Sequence, residues 1–305
     1  MKFVRLLNTS QRETHRFSRG APRRFHLAIS FVILLTIITV GCSPVTFATQ
    51  VLQNASIVSG QQQIPVTSSR PFGSCGGAII QATRPDFEQA IVEQTNQIRA
   101  QNGLPPLKLV EALSESARFH AADMSVNNYF DHNTLARVNG NLAEVCDTWN
   151  RIEAYYTNWQ ALAENIAAGQ RTPQEAMNGW MNSPEHRRNI LSPNYTEIGV
   201  GFYAGQGEYH YYWDQNFGNR NGEYPLIIDG EKAQTKTVQA VPIYIYGNFD
   251  QVRLSNDDGA WSNWMPFANN ITWNLPDTPG VHQVTAEMRG KDGSAMSSDT
   301  IQVVR

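Results

Sequence analysis

The stretch Trp180-Met-Asn-Ser-Pro-Glu-His186-Arg-Arg-Asn-Ile-Leu191, followed by Glu197-Ile-Gly-Val-Gly201, constrains the fold of this chain more than any other part of it. Ser183-Pro-Glu has the residue order of a helix start, with proline at the first helical position. Within a dozen or so residues the period changes, and Ile198-Gly-Val-Gly-Phe-Tyr203 reads as a strand. A short helix carrying a histidine therefore runs straight into a glycine-rich strand. Upstream, Phe130-Asp-His132 and Ala163-Glu164-Asn-Ile166 each add an ionisable side chain beside apolar packing residues. Three separated segments with one such group apiece suggest a convergent site.

The segments around this junction fall into order. A helical pattern starts near Pro85, with Phe87, Ile91, Thr95 and Ile98 on one face and Gly103 as its stop. A second helix is expected over Leu109–Asn127, burying Leu113, Ala117, Ala121 and Met124. After His132 an irregular stretch holds Cys146, Trp149 and Trp159. Thr172-Pro-Gln-Glu175 opens a third helix, with Thr172 as N-cap and Glu175 closing a capping box. Beyond Ile198–Tyr203, Gly205-Gln-Gly207 is a turn and Tyr209–Phe217 an antiparallel partner strand. Helices first and strands last, with loops between, imply an α+β layered domain over residues 81–218.

Residues 219–235 read as a linker, and residues 236–305 hold only strand and turn signals. Val238–Tyr246, Gln251–Ser255, Ile271–Leu275, Val281–Arg289 and Ser298–Val304 are the expected strands, with Val284, Ala286 and Met288 on one face. A small all-β sandwich follows. Trp261 and Trp264 are either core residues or a sugar-stacking platform.

The amino terminus carries an export signal. Residues 1–41 hold seven Lys/Arg against the single acid Glu13, and Leu27 to Gly41 is an almost wholly apolar run of fifteen. That run is short of the ~20 residues a membrane span needs and suits the core of a signal sequence. Thr39-Val-Gly-Cys42 resembles a bacterial lipobox, which would make Cys42 the lipid-bearing residue, although Thr39 departs from the usual aliphatic residue there. Residues 1–42 are thus an export signal and 43–80 a polar tether, with an uncleaved anchor or plain secretion as the alternatives. Each places the body outside the cytoplasm, with the membrane reached through an N-terminal lipid or anchor. Cys75 and Cys146 are either a disulfide, which an oxidising compartment permits, or two buried thiols. The net charge of −3 includes +6 on the leader, so the exported body carries −9. An acidic body of this kind excludes nucleic acid as a partner.

Together, Asn96-Gln-Ile-Arg99, Ala117 to Met124, Phe130-Asp-His132, Ala163-Glu-Asn-Ile166, Trp180 to Leu191 and Ile198-Gly-Val-Gly201 resemble the CAP superfamily, in its bacterial secreted branch. The resemblance implies a three-layer α-β-α sandwich with a cleft lined by two histidines and two acids. His132 and His186 match the histidines and Glu164 the first acid. The place of the second acid holds Ser183, and Glu185 is the nearest carboxylate. The C-terminal residues resemble immunoglobulin-like modules of bacterial surface proteins.

Two imidazoles and a carboxylate suit Zn2+ or another divalent cation, so His132, His186, Glu164 and Glu185 are the candidate metal ligands. The plainer alternative is that Glu164 and the two histidines hydrogen-bond one another and hold the loops. Ser183, three residues before His186, is a candidate nucleophile with Glu164 as the orienting acid, but it is also a good N-cap. No residue is assigned a catalytic role outright. His120 and His210 read as packed. The leading expectation is non-catalytic binding of a small ligand, a lipid or an envelope component. A hydrolase acting on peptide or cell wall and a structural adhesion protein are the alternatives.

Overall fold

The computed structural model describes residues 72–305, together with the backbone of 5–8 and 12–13. The apolar run at 27–41, Cys42 and the tether as far as residue 71 lie outside the described residues. A six-stranded sheet organises the first module. It comprises β1 (Arg5–Asn8), β2 (Arg12–Glu13), β3 (Lys108–Leu109), β6 (Trp159–Ala168), β7 (Glu197–Ala204) and β8 (Tyr211–Arg220). The order is β1-β6-β8-β7-β3, with β2 also on β6. Helix α1 (Pro85–Gln101), α4 (Pro173–Asn182) and α5 (Pro184–Ile190) cover one face through Ile91, Val92, Ala176, Met177, Trp180 and Ile190. Helix α2 (Glu111–Asn127) covers the other, with α3 (Thr148–Glu153) at its side. This is a mixed α/β sandwich of three layers.

The glycines of Ile198-Gly-Val-Gly201 have a packing reason. Ile198, Val200 and Phe202 point into the α1/α4 core, so Gly199 and Gly201 face α2. A Cβ on Gly199 would overlap the backbone of Leu113 and Ser114, and one on Gly201 that of Ala117 and Arg118. The helix lies directly on the strand backbone. Leu113, Ala117, Ala121 and Met124 are all buried there, as their spacing predicts.

Thr172 caps α4 through its hydroxyl, which accepts from Glu175 N at 3.2 Å. Glu175 reaches back one residue further than a capping box requires, accepting from Arg171 N at 2.7 Å. The stretch after His132 is not irregular. It holds the hairpin β4 (Thr134–Val138) and β5 (Asn141–Cys146), then α3, then the long strand β6. Asp147 caps α3 by accepting from Trp149 N and Asn150 N. Cys146 is disulfide-bonded to Cys75 with a Cα–Cα distance of 5.1 Å. Next to that bridge, Gly73 N donates to Asp123 on α2 at 2.6 Å, and Ala78 and Ile80 are buried. The end of the expected tether is therefore packed on the α2 layer.

The second module is a sandwich of two sheets. One holds β9 (Leu226–Ile228), β11 (Val241–Ile245) and β14 (Asn270–Trp273) in the order β14-β11-β9. The other holds β10 (Gln234–Thr235), β12 (Gln251–Asn256), β13 (Met265–Pro266), β15 (Gly280–Gly290) and β16 (Gly293–Val303) in the order β10-β16-β15-β12-β13. Ile228, Ile243 and Ile245 of the first sheet meet Leu254, Val284, Ala286 and Met288 of the second in one core. Strands β9 and β10 come from the segment expected to be a linker. Trp261 and Trp264 are half-buried, with the Arg253 guanidinium 4.8 and 4.7 Å from their ring centroids. Several hydrogen bonds and ion pairs join the modules, among them Asn96, which donates to Gly230 O at 3.0 Å, Tyr246, which donates to Pro106 O at 2.9 Å, and Lys108, whose Nζ lies 3.0 Å from Glu231 and also pairs with Asp299.

Candidate functional site

Period-two alternation along β6 divides the Ala163-Glu164-Asn-Ile166 motif between the two layers. Ala161, Ala163 and Ala167 join the α1/α4 core, while Leu162, Ile166 and Ala168 pack on the α2 side. Glu164 therefore faces α2, and Asn165 faces α5. The Asn165 amide donates to His186 O at 3.2 Å and to Gln215 at 3.1 Å, and accepts from Asn189 at 2.9 Å. Asn189 also donates to Glu164 O at 3.3 Å. These bonds seat α5, and with it His186, against β6.

On the other side Glu164 is fully buried. His132 Nδ1 lies 2.6 Å from its Oε1, and since a carboxylate only accepts, the ring donates. Arg151 of α3, also fully buried, pairs with Oε2. The same guanidinium donates to His132 O at 2.7 Å, and Thr148 Oγ1 donates there at 2.9 Å. Burial alone would raise the Glu164 pKa. The Arg151 charge and the bond from His132 outweigh it and hold the group at about 2.

Asp214 of β8 completes the polar island. It stands opposite Ile166 in the β6–β8 register, and Asn216 stands opposite Glu164, so Asp214 and Glu164 are diagonal neighbours on one face. Asp214 is fully buried, and no donor among the described residues reaches either of its oxygens. Burial, and then the charge of Glu164, push its pKa well up, so the carboxyl is neutral. His120 of α2 lies over this pair. Its Nε2 is 2.9 Å from Asp131 O and must donate to that carbonyl. Burial, and then the Arg151 charge, push its pKa well down, so Nδ1 keeps its lone pair. That atom is buried and has no partner among the described residues. Ligand atoms of His120, Glu164 and Asp214 all lie within 4.8 Å of one another.

The expected ligand set is therefore rearranged. His132 and Glu164 touch. His186 is buried on α5, with Nδ1 2.6 Å from Ser183 Oγ. Ser183 occupies the N-cap position of α5, but its side chain makes no cap bond. The hydroxyl instead contacts His186 and, at 3.4 Å, Glu185. Glu185 is exposed. Among the described residues the convergent three-ligand group is His120, Glu164 and Asp214 rather than one built on His186 and Glu185. His120, read as packed, belongs to the polar cluster. His210 is exposed in the turn before β8 with φ 65°, so it lines neither core nor site.

Arg151 and Asp214 were not legible as site residues. The available signal for Asp214 is the alternation Tyr212, Asp214, Asn216 against Trp213, Gln215, Phe217, which puts polar groups under a helix. Arg151 has no comparable signal.

This arrangement can be set beside known proteins. Residues 92–217 match the family model for CAP, the cysteine-rich secretory protein family. The uncharacterized protein YkwD of Bacillus subtilis (strain 168) is 41% identical over 116 residues, which is 38% of this chain and 42% of that protein. The uncharacterized membrane protein YlbC of the same strain is 36% identical over 114 residues, covering 37% of this chain and 31% of that protein. The chain thus spans less than half the length of the curated relatives it matches. An extracellular protein containing a SCP domain, from Bacillus anthracis str. Ames, has a solved structure with 31% identity and a TM-score of 0.39, covering 44% of this chain and 41% of that one. No helix among the described residues is long and apolar enough to cross a membrane. Residues 92–217, less than half of the chain, are thus the part that is similar to the CAP, cysteine-rich secretory protein family.

Proposed function

We propose that this chain is an exported protein tethered at the cell surface through Cys42, cleavage before which would remove β1 and β2 from β6, and that its CAP-like module binds a small ligand, a lipid or an envelope component without turning it over. The ligand would lie beside His132, Glu164 and His186. The C-terminal sandwich would act as an immunoglobulin-like spacer. The observation that carries the non-catalytic reading is the double engagement of Glu164. Its two oxygens bond His132 and Arg151, which fixes the carboxylate in the fold as a structural group. A divalent cation such as Zn2+ enters this reading through His132, whose Nε2 is buried without a partner among the described residues, and through His186. Glu185 is exposed and does not support a closed ligand set.

The test is co-sedimentation of the exported chain with vesicles of envelope lipids and with cell-wall fragments. Wild type is expected to be retained, and His132→Ala with His186→Ala to lose retention. Retention unchanged in the double variant would overturn the cleft as the binding surface. A second reading, hydrolysis, is favoured by the 2.6 Å contact between Ser183 Oγ and His186 Nδ1. Turnover of a peptide or peptidoglycan substrate that disappears in Ser183→Ala would establish it in place of the first.

A further inference from the structure

We propose that His120, Glu164 and Asp214 form a buried site for a divalent transition metal of the zinc class, behind the cleft and sharing only Glu164 with it.

The geometry comes first. Three different elements, α2, β6 and β8, aim one ligand atom each at a common point, and those atoms lie within 4.8 Å of one another. All three residues are fully buried. The second observation is independent of the acidic character of the site. His120 Nδ1 is buried with no hydrogen-bond partner among the described residues, and no described donor reaches the Asp214 oxygens, whose own proton is shared toward Glu164. A buried polar atom without a partner costs about 1–3 kcal/mol, so the imidazole lone pair is costly to leave there unless something binds it. Asp131 O fixes the His120 ring through Nε2, which is the outer-shell device that aims a metal-ligating imidazole.

Charge points the same way. Arg151 answers one of the two carboxylates when both are ionised, leaving one negative charge for a cation to meet. One imidazole nitrogen and two carboxylate oxygens suit Zn2+ rather than a soft monovalent ion or an all-oxygen calcium site. Three protein ligands leave a fourth position. Because the site is closed, loading is expected during folding rather than by diffusion into the finished domain.

The experiment uses the full chain refolded with and without Zn2+, then desalted and assayed for bound zinc by mass spectrometry and X-ray absorption. One zinc per chain is expected, with one imidazole and two oxygens in its shell. Asp214→Asn and His120→Phe are expected to lower affinity ~10-fold or more, since even outer-shell losses cost that much. His186→Ala is expected to leave it unchanged. Zinc held by two imidazoles and lost in His186→Ala would assign the metal to the cleft and overturn this proposal while supporting that reading. Equal affinity in Asp214→Asn and wild type, or no zinc in the refolded wild type, would overturn it as well. Asp214→Asn keeps the shape of the neutral carboxyl, so it decides the matter should His120→Phe fail to fold.

Discussion

Arg151 and Glu164 form an ion pair with neither side chain exposed, and the same guanidinium holds the carbonyl of His132, whose ring bonds the same carboxylate. One arginine therefore fixes both partners of the cleft contact. Removing one member of a buried pair leaves an uncompensated charge, which costs about 3–5 kcal/mol. Arg151→Met is expected to destabilise the first module by that amount in urea unfolding. The pair also sets an acid limit. Glu164 titrates at about 2 when folded and from an ordinary value of 4.5 when unfolded, so its contribution is complete above pH 4.5 and disappears as pH falls toward 2. Wild type should lose stability in that window, and Arg151→Met should show a shallower loss. Parallel acid curves would separate Glu164 from acid unfolding.

Gly201 makes the second prediction. Its missing side chain lets Ala117 and Arg118 of α2 lie on β7. An added methyl meets the Ala117–Arg118 peptide of α2, and backbone does not yield as a side-chain tip would. Gly201→Ala is expected to cost ~1–3 kcal/mol or more through overpacking. The loss should show as a lowered thermal midpoint, and an unchanged midpoint would mean that α2 can lift from the strand.

Much of this layer was legible in the sequence, and the failures have physical causes. Proline at the first helical position placed α4 and α5, because it fixes the backbone locally, and Thr172 added a side-chain cap on α4 alone. Strand β6 was missed because Trp159-Gln-Ala-Leu-Ala-Glu-Asn-Ile-Ala-Ala168 is alanine-rich and buried on both faces, so it shows a single β-branched residue, Ile166, and no apolar–polar alternation. The β4–β5 hairpin did carry a signal. Asn139-Gly140 has positive φ at both positions, the turn chemistry of a two-residue hairpin. On α2, the stripe Leu113, Ala117, Ala121, Met124 accounts for one face only. Ser116, His120 and Asp123 form a second buried stripe, which a one-stripe reading of an amphipathic helix overlooks. The contact between Glu164 and Asp214 depends on strand order β6-β8, which no local pattern specifies.

The Cys75–Cys146 bridge closes a loop with a sequence separation of 71, and it ties the segment before α1 to the end of the β4–β5 hairpin. Chain entropy for a loop of that length is about 4 kcal/mol. Reduction under native conditions is expected to lower the thermal midpoint and to expose the segment around Ala78 and Ile80 to proteolysis. Mass spectrometry after alkylation without reductant should find neither of these two cysteines labelled. Labelling of both in the oxidised protein would show two free thiols instead.

Glu231 makes the interface between the modules pH-dependent. It lies against Lys108 and close to Asp299, which Lys108 also binds. Burial, and then the Asp299 charge, raise its pKa to about 8, with Lys108 opposing. Between an unfolded value of 4.5 and a folded value of about 8, the folded state holds a proton that the unfolded state has released. Stability contributed by this group therefore falls as pH rises through that window, on the order of 1 kcal/mol per pH unit. Glu231→Gln mimics the protonated form and removes the slope. Urea midpoints of wild type are expected to drop from pH 5 to pH 8 relative to those of Glu231→Gln, with the variant the more stable at pH 8. Midpoints that track each other across the range would mean that Glu231 is ionised in the folded protein and that Lys108 satisfies both carboxylates at once.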